Sequence, residues 1–378
     1  MLPRMKTKAA VLHKTERPLP YADSQPMVIE ELDLEGPGEG EVLVEVKGAG
    51  LCHSDLSVIE GARPRPMPMV LGHEASGIVR EVGRGVRGFV PDDHVVFTFI
   101  PSCGACRYCV EGRPSLCEPG MDANNAGTLM NGAQRFSRNG KSYFHHCGVS
   151  GYSQFTITLP GSLVKIDNDL PFEHATLFGC AVMTGTGAVM NTADIRPGQS
   201  VAVFGLGGVG LAALMGAKAC DAGTIIAVDL LESKLEMARN LGATHTVNAG
   251  ECDPVEAIRD LTGGGVEFAL ESAGHAKVLA QAYESTARGG TTIAISLPHP
   301  EHQFSVSAVS LSAMEKTVKG SYQGSCIPTR DIPRFIEMFR AGKLPVDQLL
   351  TDIIPLEKIN EGFDRLQKGE VARQVILF

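Results

Sequence analysis

Three groups of residues in this chain have the types and spacing to do chemistry. Cys103, Cys106, Cys109 and Cys117 fall within fifteen residues. Thiolates at such short spacing wrap tetrahedrally around Zn2+. Four protein ligands leave no open coordination position, so the role expected of this lobe is structural. A disulfide pair competes with that reading, as does an iron–sulfur cluster on four thiolates, though the run lacks the usual Cys-Pro ending. A zinc ribbon gripping nucleic acid needs more basic and aromatic neighbours than Arg107, Tyr108 and Arg113.

The second group is dispersed. Cys52-His53-Ser54-Asp55 is followed, twenty-one residues after Cys52, by Gly72-His73-Glu74, and Cys180 stands far downstream. Each alone reads as structural, since a lone buried cysteine is usually a small hydrophobe. Together, two thiolates and one imidazole make a three-ligand zinc site with one open position. Such a position can take a substrate oxygen and lower its pKa.

The third group is Gly205-Leu206-Gly207-Gly208-Val209-Gly210, with Asp229 nineteen residues beyond Gly210. A glycine pattern alone fits any strand–helix turn. Here it follows a β-branched run, Ser200 to Phe204, and opens an Ala- and Leu-rich stretch, Leu211 to Ala219. In that setting it is the dinucleotide fingerprint. Gly205 permits the tight turn, Gly207 lets backbone approach a pyrophosphate, and Gly210 lets the helix pack close to the sheet. The helix N-terminus offers unpaired N–H groups to the phosphates. A carboxylate at Asp229 accepts from both ribose hydroxyls and repels a 2′-phosphate, which favours NAD over NADP. Lys234 either reaches the same ribose or is a solvated helix charge.

The elements that must hold these groups differ along the chain. The first third is broken by Gly and Pro and carries short strand patterns at Glu41 to Val46, Gly77 to Val82 and Asp93 to Phe97. These predict an irregular, mostly β domain. From about residue 200, strands at Ser200 to Phe204, Thr224 to Val228, Val266 to Glu271 and Thr291 to Ser296 alternate with helical stretches such as Ser233 to Leu241. Alternation of that kind implies a parallel sheet. The tail returns to a helix, Ile332 to Ala341, and a strand, Gln374 to Phe378.

Composition narrows the function. The 378 residues suit about two domains, with 43% apolar residues to bury. The net charge of −9 opposes an electrostatic grip on nucleic acid. No secretory signal and no run of 18 apolar residues is present, so the expectation is a cytoplasmic chain with reduced thiols and no membrane span. The 43 glycines, roughly 11% against a usual ~7%, point to many tight turns and close backbone approaches.

Taken together, Cys52-His53-Ser54-Asp55, Gly72-His73-Glu74, the four-cysteine lobe, Cys180, the glycine loop, Asp229 and Arg373 resemble the zinc-dependent alcohol dehydrogenases of the medium-chain dehydrogenase/reductase superfamily. The resemblance implies an α/β fold: a GroES-like, mostly-β catalytic domain over 1–182 and 323–378, with an inserted Rossmann doubly wound parallel sheet over 183–322. It implies an NAD-linked enzyme that interconverts alcohols with aldehydes or ketones, carrying two zinc ions per chain. Cys52, His73 and Cys180 match the catalytic zinc ligands, and Glu74 the carboxylate that can approach the metal. Asp55 matches the acid that orients the ligand imidazole, a role with clear physical sense. Ser54 matches the hydroxyl that takes the alcohol proton. His53 and Arg373 match positions facing the cofactor pyrophosphate, and Thr184 a residue against the nicotinamide. For His53 and Thr184, local hydrogen bonding is the competing role.

One departure stands out. Relatives of this kind carry a histidine as terminal proton acceptor where this chain has Ser57, which has no suitable pKa near neutrality. The proton must then leave through the cofactor ribose, water or another base, for which His53 is a candidate. Ser54, Phe99 and the region of Met121 are expected to line the substrate pocket. Relatives acting on S-(hydroxymethyl)glutathione carry arginine near position 121, so simple alcohols rank first. Polyol dehydrogenases, which usually have Glu at the position of Cys180, rank lower. A non-enzymatic metal-binding scaffold is the remaining alternative, opposed by Ser54 and the intact ligand set. The segment Ile293 to Val309 resembles subunit-contact strands, from which a homodimer is expected; tetramers also occur in the family.

Overall fold

A computed structural model describes residues 4–378. Its contacts divide the chain into two units: Met1–Cys180 with Ile327–Pro333 and Leu350–Phe378, and Ala181–Cys326 with Arg334–Leu349. The sequence reading kept the whole C-terminal segment from 323 in the first unit. Residues 334–349 instead group with the second, where the turn Val346–Leu349 packs on the helix Gly208–Ala219 and buries Val346 and Leu349.

Unit one opens with ten strands: β1 Arg4–Leu12, β2 Met27–Glu35, β3 Val42–Gly50, β4 Met69–Val70, β5 Ala75–Val82, β6 His94–Phe97, β7 Phe136–Arg138, β8 Lys141–His145, β9 Phe155–Thr158 and β10 Leu163–Ile166. Unit two supplies β11 Ser200–Phe204, β12 Thr224–Asp229, β13 His245–Asn248, β14 Val266–Glu271, β15 Thr286–Ala294 and β16 Thr317–Gly320. The chain then returns to unit one as β17 Leu350–Ile354 and β18 Arg373–Leu377.

In unit one, β1-β2-β7-β8-β4 close into a barrel, and a second sheet runs β10-β6-β5-β3-β18-β17 with β9 also on β3. Strand β3 is central, and burial follows from that position. The expected half-buried alternation over Glu41 to Val46 gives way to a strand with Val42, Leu43, Val44, Val46 and Ala49 all buried. Even Glu41 is fully buried, held by Arg135 at 2.9 Å.

Pairing sets one corner of this sheet. Ala49 of β3 lies opposite Ala75 of β5, and Gly50 opposite Val375 of β18. Two backbone bonds extend the match: Gly50 N–H to Glu74 O (2.8 Å) and Leu51 N–H to Gln374 O (3.0 Å). Residues 50–52, 73–75 and 373–375 are thereby forced together.

Unit two holds the six-stranded sheet β13-β12-β11-β14-β15-β16, parallel throughout. The strand order reverses around β11, the place where open parallel sheets bind ligands beyond their carboxyl ends. The helix expected from Leu211 begins at Gly208, inside the glycine pattern. No helix among the described residues is long and apolar enough to cross a membrane.

Candidate catalytic centre

Cys52 leaves the end of β3, and His73-Glu74 enter β5, so the sheet corner brings them side by side. Cys180 arrives on a π-helical turn, Phe178–Val182, that follows the helix Phe172–Leu177. Such turns gather at functional sites. Ligand atoms of Cys52, His73, Glu74 and Cys180 all lie within 4.8 Å of one another, and all four residues are buried. The two sulfurs are 4.0 Å apart, and His73 Nε2 is 3.3 Å from Cys180 Sγ.

The electrostatics favour a cation here. A hydrogen bond shared with Cys180 draws the Cys52 thiol well below its ordinary range, with the Arg373 guanidinium assisting, and pushes Cys180 up. Burial pushes Glu74 up to about 7 against the pull of Arg373. Both Glu74 oxygens are buried without a hydrogen-bond partner. A divalent cation with nitrogen and sulfur preference fits this donor set, because it would take the lone pairs that the fold leaves unpaired.

Behind His73 sits Asp55, itself fully buried on the helix His53–Ile59. Its Oδ2 is 2.8 Å from His73 Nδ1. Burial would raise this carboxyl, but the His73 charge and hydrogen bonds from His146 and His73 hold it well below the usual range. Burial likewise opposes charge on His73, and Asp55 and Cys52 outweigh it, so its pKa is raised.

The four cysteines of the lobe also converge within 4.8 Å. Backbone N–H groups of Ala105 and Cys106 point at Cys103 Sγ (3.5 and 3.2 Å), and that of Cys103 points at Cys117 Sγ (3.3 Å). The Ala105 bond draws Cys103 down to about 7, whereas burial pushes Cys109 up to about 12. Backbone donors aimed at sulfur suit a thiolate cage. All ten cysteines are free thiols, so the disulfide reading falls.

In unit two the glycine loop has the geometry its sequence requires. Gly205 has φ +85°, and a Cβ there would lie 2.7 Å from Ala273. A Cβ on Gly210 would lie 1.9 Å from Gly205 O, so the helix can approach the strand only without one. A Cβ on Gly207, by contrast, would meet no protein atom within 4 Å: the loop is open at the point where a phosphate would need backbone. Asp229 is fixed beside it, accepting from Leu206 N–H at 2.7 Å and Leu231 N–H at 3.0 Å.

Residues 38–167 match the alcohol dehydrogenase GroES-like domain, and residues 208–341 match the zinc-binding dehydrogenase domain. The NDMA-dependent alcohol dehydrogenase of Amycolatopsis methanolica is 39% identical over 377 residues, spanning 99% of both chains. The chain belongs to the zinc-type alcohol dehydrogenases of the medium-chain dehydrogenase/reductase superfamily. An S-(hydroxymethyl)glutathione dehydrogenase of Escherichia coli is 36% identical over 99% of this chain and 100% of its own. The crystal structure of benzyl alcohol dehydrogenase from Acinetobacter calcoaceticus superposes with a TM-score of 0.92 at 33% identity, covering 99% of each chain.

Several further positions of this alcohol dehydrogenase follow from the fold. His53 is exposed and Ser54 half-buried at the start of their helix. Ser57 Oγ donates to His53 O at 2.8 Å, so its hydroxyl is committed to the helix backbone. The Phe99 ring stands edge-on to His73, 5.5 Å between centroids. Met121 is half-buried on the helix Glu118–Ala126. In unit two, Thr184 and Lys234 are both buried, at 8% and 5% exposure, which removes the solvated-charge reading of Lys234. Arg373 Nε is 3.8 Å from Glu74 Oε1, and its Nη2 is 4.0 Å from Cys52 Sγ. Sequence reasoning assigned Arg373 to the cofactor and missed this contact with the sulfur cluster. It also missed His146 and Tyr152, which meet Asp55 from a segment with no motif of its own. Cys147, left as a free thiol by the sequence, is drawn below its ordinary pKa by His146 against the effect of burial.

Proposed function

We propose that this enzyme oxidises simple or aromatic alcohols to carbonyl compounds with NAD, and carries two zinc ions per chain. The buried convergence of Cys52, His73, Glu74 and Cys180 is the observation that carries the reading. Cys52, His73 and Cys180 would hold the catalytic zinc, and Cys103, Cys106, Cys109 and Cys117 the structural one. When bound, zinc supplies Lewis acidity to the alcohol oxygen, and NAD accepts the hydride.

The chain's own residues do the rest. Ser54 receives the hydroxyl proton of the substrate. Ser57 is tied to a carbonyl and cannot pass it on. His53, exposed one residue before Ser54, takes that duty. Asp55 fixes the ring of His73, and Arg373 balances the negative charge of Cys52 and Glu74. Phe99 offers an apolar wall, and Met121 has no charge for a substrate carboxylate, which supports simple alcohols over glutathione adducts. Gly205 to Gly210 with Asp229, Thr184 and Lys234 would hold the dinucleotide in unit two. By resemblance, His53 and Arg373 match residues that contact the cofactor pyrophosphate.

A homodimer and a cytoplasmic location complete the reading. The first draws support from β16, exposed along its whole length, and from exposed Leu297, Val309, Leu311 and Val318.

Metal content and cofactor reduction test the proposal together. Two zinc ions per chain are expected, one lost on Cys180→Ala with the activity and the other on Cys103→Ala. NAD should be reduced with primary or aromatic alcohols faster than with polyols, and NADP poorly. Turnover only when NDMA is supplied, the dependence that names the A. methanolica relative, would overturn the free-NAD part.

A further inference from the structure

We propose that His146 is a positioning residue for the catalytic metal centre, acting through Asp55 to hold the ring of His73. The inference rests on the reading of Cys52, His73 and Cys180 as that centre. Asp55 is fully buried, and four polar groups lie within 3.2 Å of its carboxylate. Oδ2 lies 2.8 Å from His73 Nδ1 and 3.0 Å from the Tyr152 hydroxyl, which is also 3.0 Å from Gly50 O. Oδ1 accepts the Gly72 N–H at 3.1 Å, and His146 Nδ1 stands 3.2 Å from it. A carboxylate has about four lone-pair positions, and two polar neighbours crowd each oxygen here.

These contacts fix two things. An ionised carboxylate only accepts, so Nδ1 of His73 must carry a hydrogen, and its Nε2, 3.3 Å from Cys180 Sγ, is aimed at the sulfur pair. The carboxylate plane is fixed as well. Its terminal torsion is broad and soft by itself. With His146 gone, Oδ1 would keep only one backbone donor, and the plane could turn away from His73.

His146 is built for this task. Its N–H donates to Ser150 Oγ at 3.1 Å, and its carbonyl accepts the N–H groups of Val149 and Ser150 at 2.9 and 3.1 Å. The turn that carries it is therefore rigid. Its ring meets His73 edge to face, 6.0 Å between centroids at 86°, with no hydrogen bond between the rings. The orienting path between them is the shared carboxylate.

The test compares His146→Phe, which keeps an aromatic ring without the donor, with His146→Asn, whose amide can replace Nδ1–H. Zinc dissociation from the Cys52 site of the holoprotein is measured by chelator competition. The cobalt-substituted protein gives the thiolate charge-transfer band of the same site. His146→Phe should weaken zinc there roughly tenfold and shift the band, while His146→Asn stays within about threefold of the parent. Zinc in the four-cysteine lobe should not change in either. If the Phe variant does not fold, His146→Leu and His146→Gln repeat the comparison. Parent-like affinity in the donor-less variant, or equal losses in both, overturns the proposal. A parent chain whose zinc is all lost on Cys103→Ala overturns the metal-centre reading itself, a result distinct from either.

Discussion

Replacing His145 by glutamine should flatten the dependence of stability on pH. His145 ends β8, fully buried. Its Nε2 accepts the Arg135 N–H at 3.1 Å, and its Nδ1 faces Ser150 Oγ at 3.4 Å. A proton added to Nε2 would set two donors face to face. Burial, aided by the Arg135 charge, pushes the pKa of this ring down to about 3. The unfolded value is about 6.5, so as pH falls the unfolded chain takes this proton first. Stability is therefore full above about 6.5, is lost below it, and stops falling near the folded value of about 3. At pH 5 the loss from this one ring works out to roughly 2 kcal/mol. Glutamine can accept the Arg135 N–H with its carbonyl and does not titrate. Urea unfolding of parent and His145→Gln at pH 7.5 and pH 5 measures the effect as a difference between two proteins, so other groups cancel. The variant should lose about 2 kcal/mol less than the parent across that interval, whatever its stability at pH 7.5. Parallel pH profiles would refute the claim that the fold holds this ring neutral.

Three other changes have defined outcomes. Gly210→Val places a Cβ 1.9 Å from Gly205 O and 2.6 Å from Ser272 Oγ; it should cost about 2–3 kcal/mol in denaturant unfolding and weaken NADH binding in a fluorescence titration. Arg135→Ala leaves the fully buried Glu41 with only the Gly38 N–H and the Asn131 amide, so thermal denaturation should report a loss of about 3–5 kcal/mol, partly recovered by adding Glu41→Gln. Asp229→Ala should lower kcat/KM with NAD by roughly tenfold or more while NADP gains in relative terms; an unchanged preference would count against Asp229 as the ribose ligand.

What the sequence made legible was local. The run Ser200 to Phe204 coincides with β11, and the glycine loop behaves as its spacing demands, because a strand, a turn and a helix start are short-range events. The four-cysteine lobe is legible for the same reason. The corner that joins Cys52 to His73 was legible only through resemblance, since antiparallel pairing across twenty-one residues leaves no periodic mark. The partners of Asp55 were not legible at all. His146 and Tyr152 follow no spacing relative to Asp55, and the doublet His145-His146 gives no hint that one ring accepts from a backbone N–H while the other stands against a carboxylate. The exchange of residues 334–349 to the second unit was hidden as well, because an amphipathic helix shows that it buries a face but not against what.

The chemistry of this centre depends on strand register as much as on its motifs. A slip of one residue turns every side chain of a strand to the opposite face. The pairing of β3 with β5 shifts twice, between Leu43 and Val44 and again between Val46 and Gly48, where Val46 faces Gly77 but Gly48 faces Ser76. The first shift leaves Arg80 extra on β5 and the second leaves Lys47 extra on β3, so the second restores the phase in which Val42 faces Val82. The strands draw so close there that a Cβ on Gly77 would lie 2.2 Å from Glu45 O. Beyond the step, Ala49 meets Ala75 and Gly50 meets Val375, and this phase delivers Cys52, His73 and Arg373 to the same corner. Gly77 lies between the two shifts, so a larger residue there would press on Glu45 O within the segment whose second shift returns β3 and β5 to phase before the sulfurs.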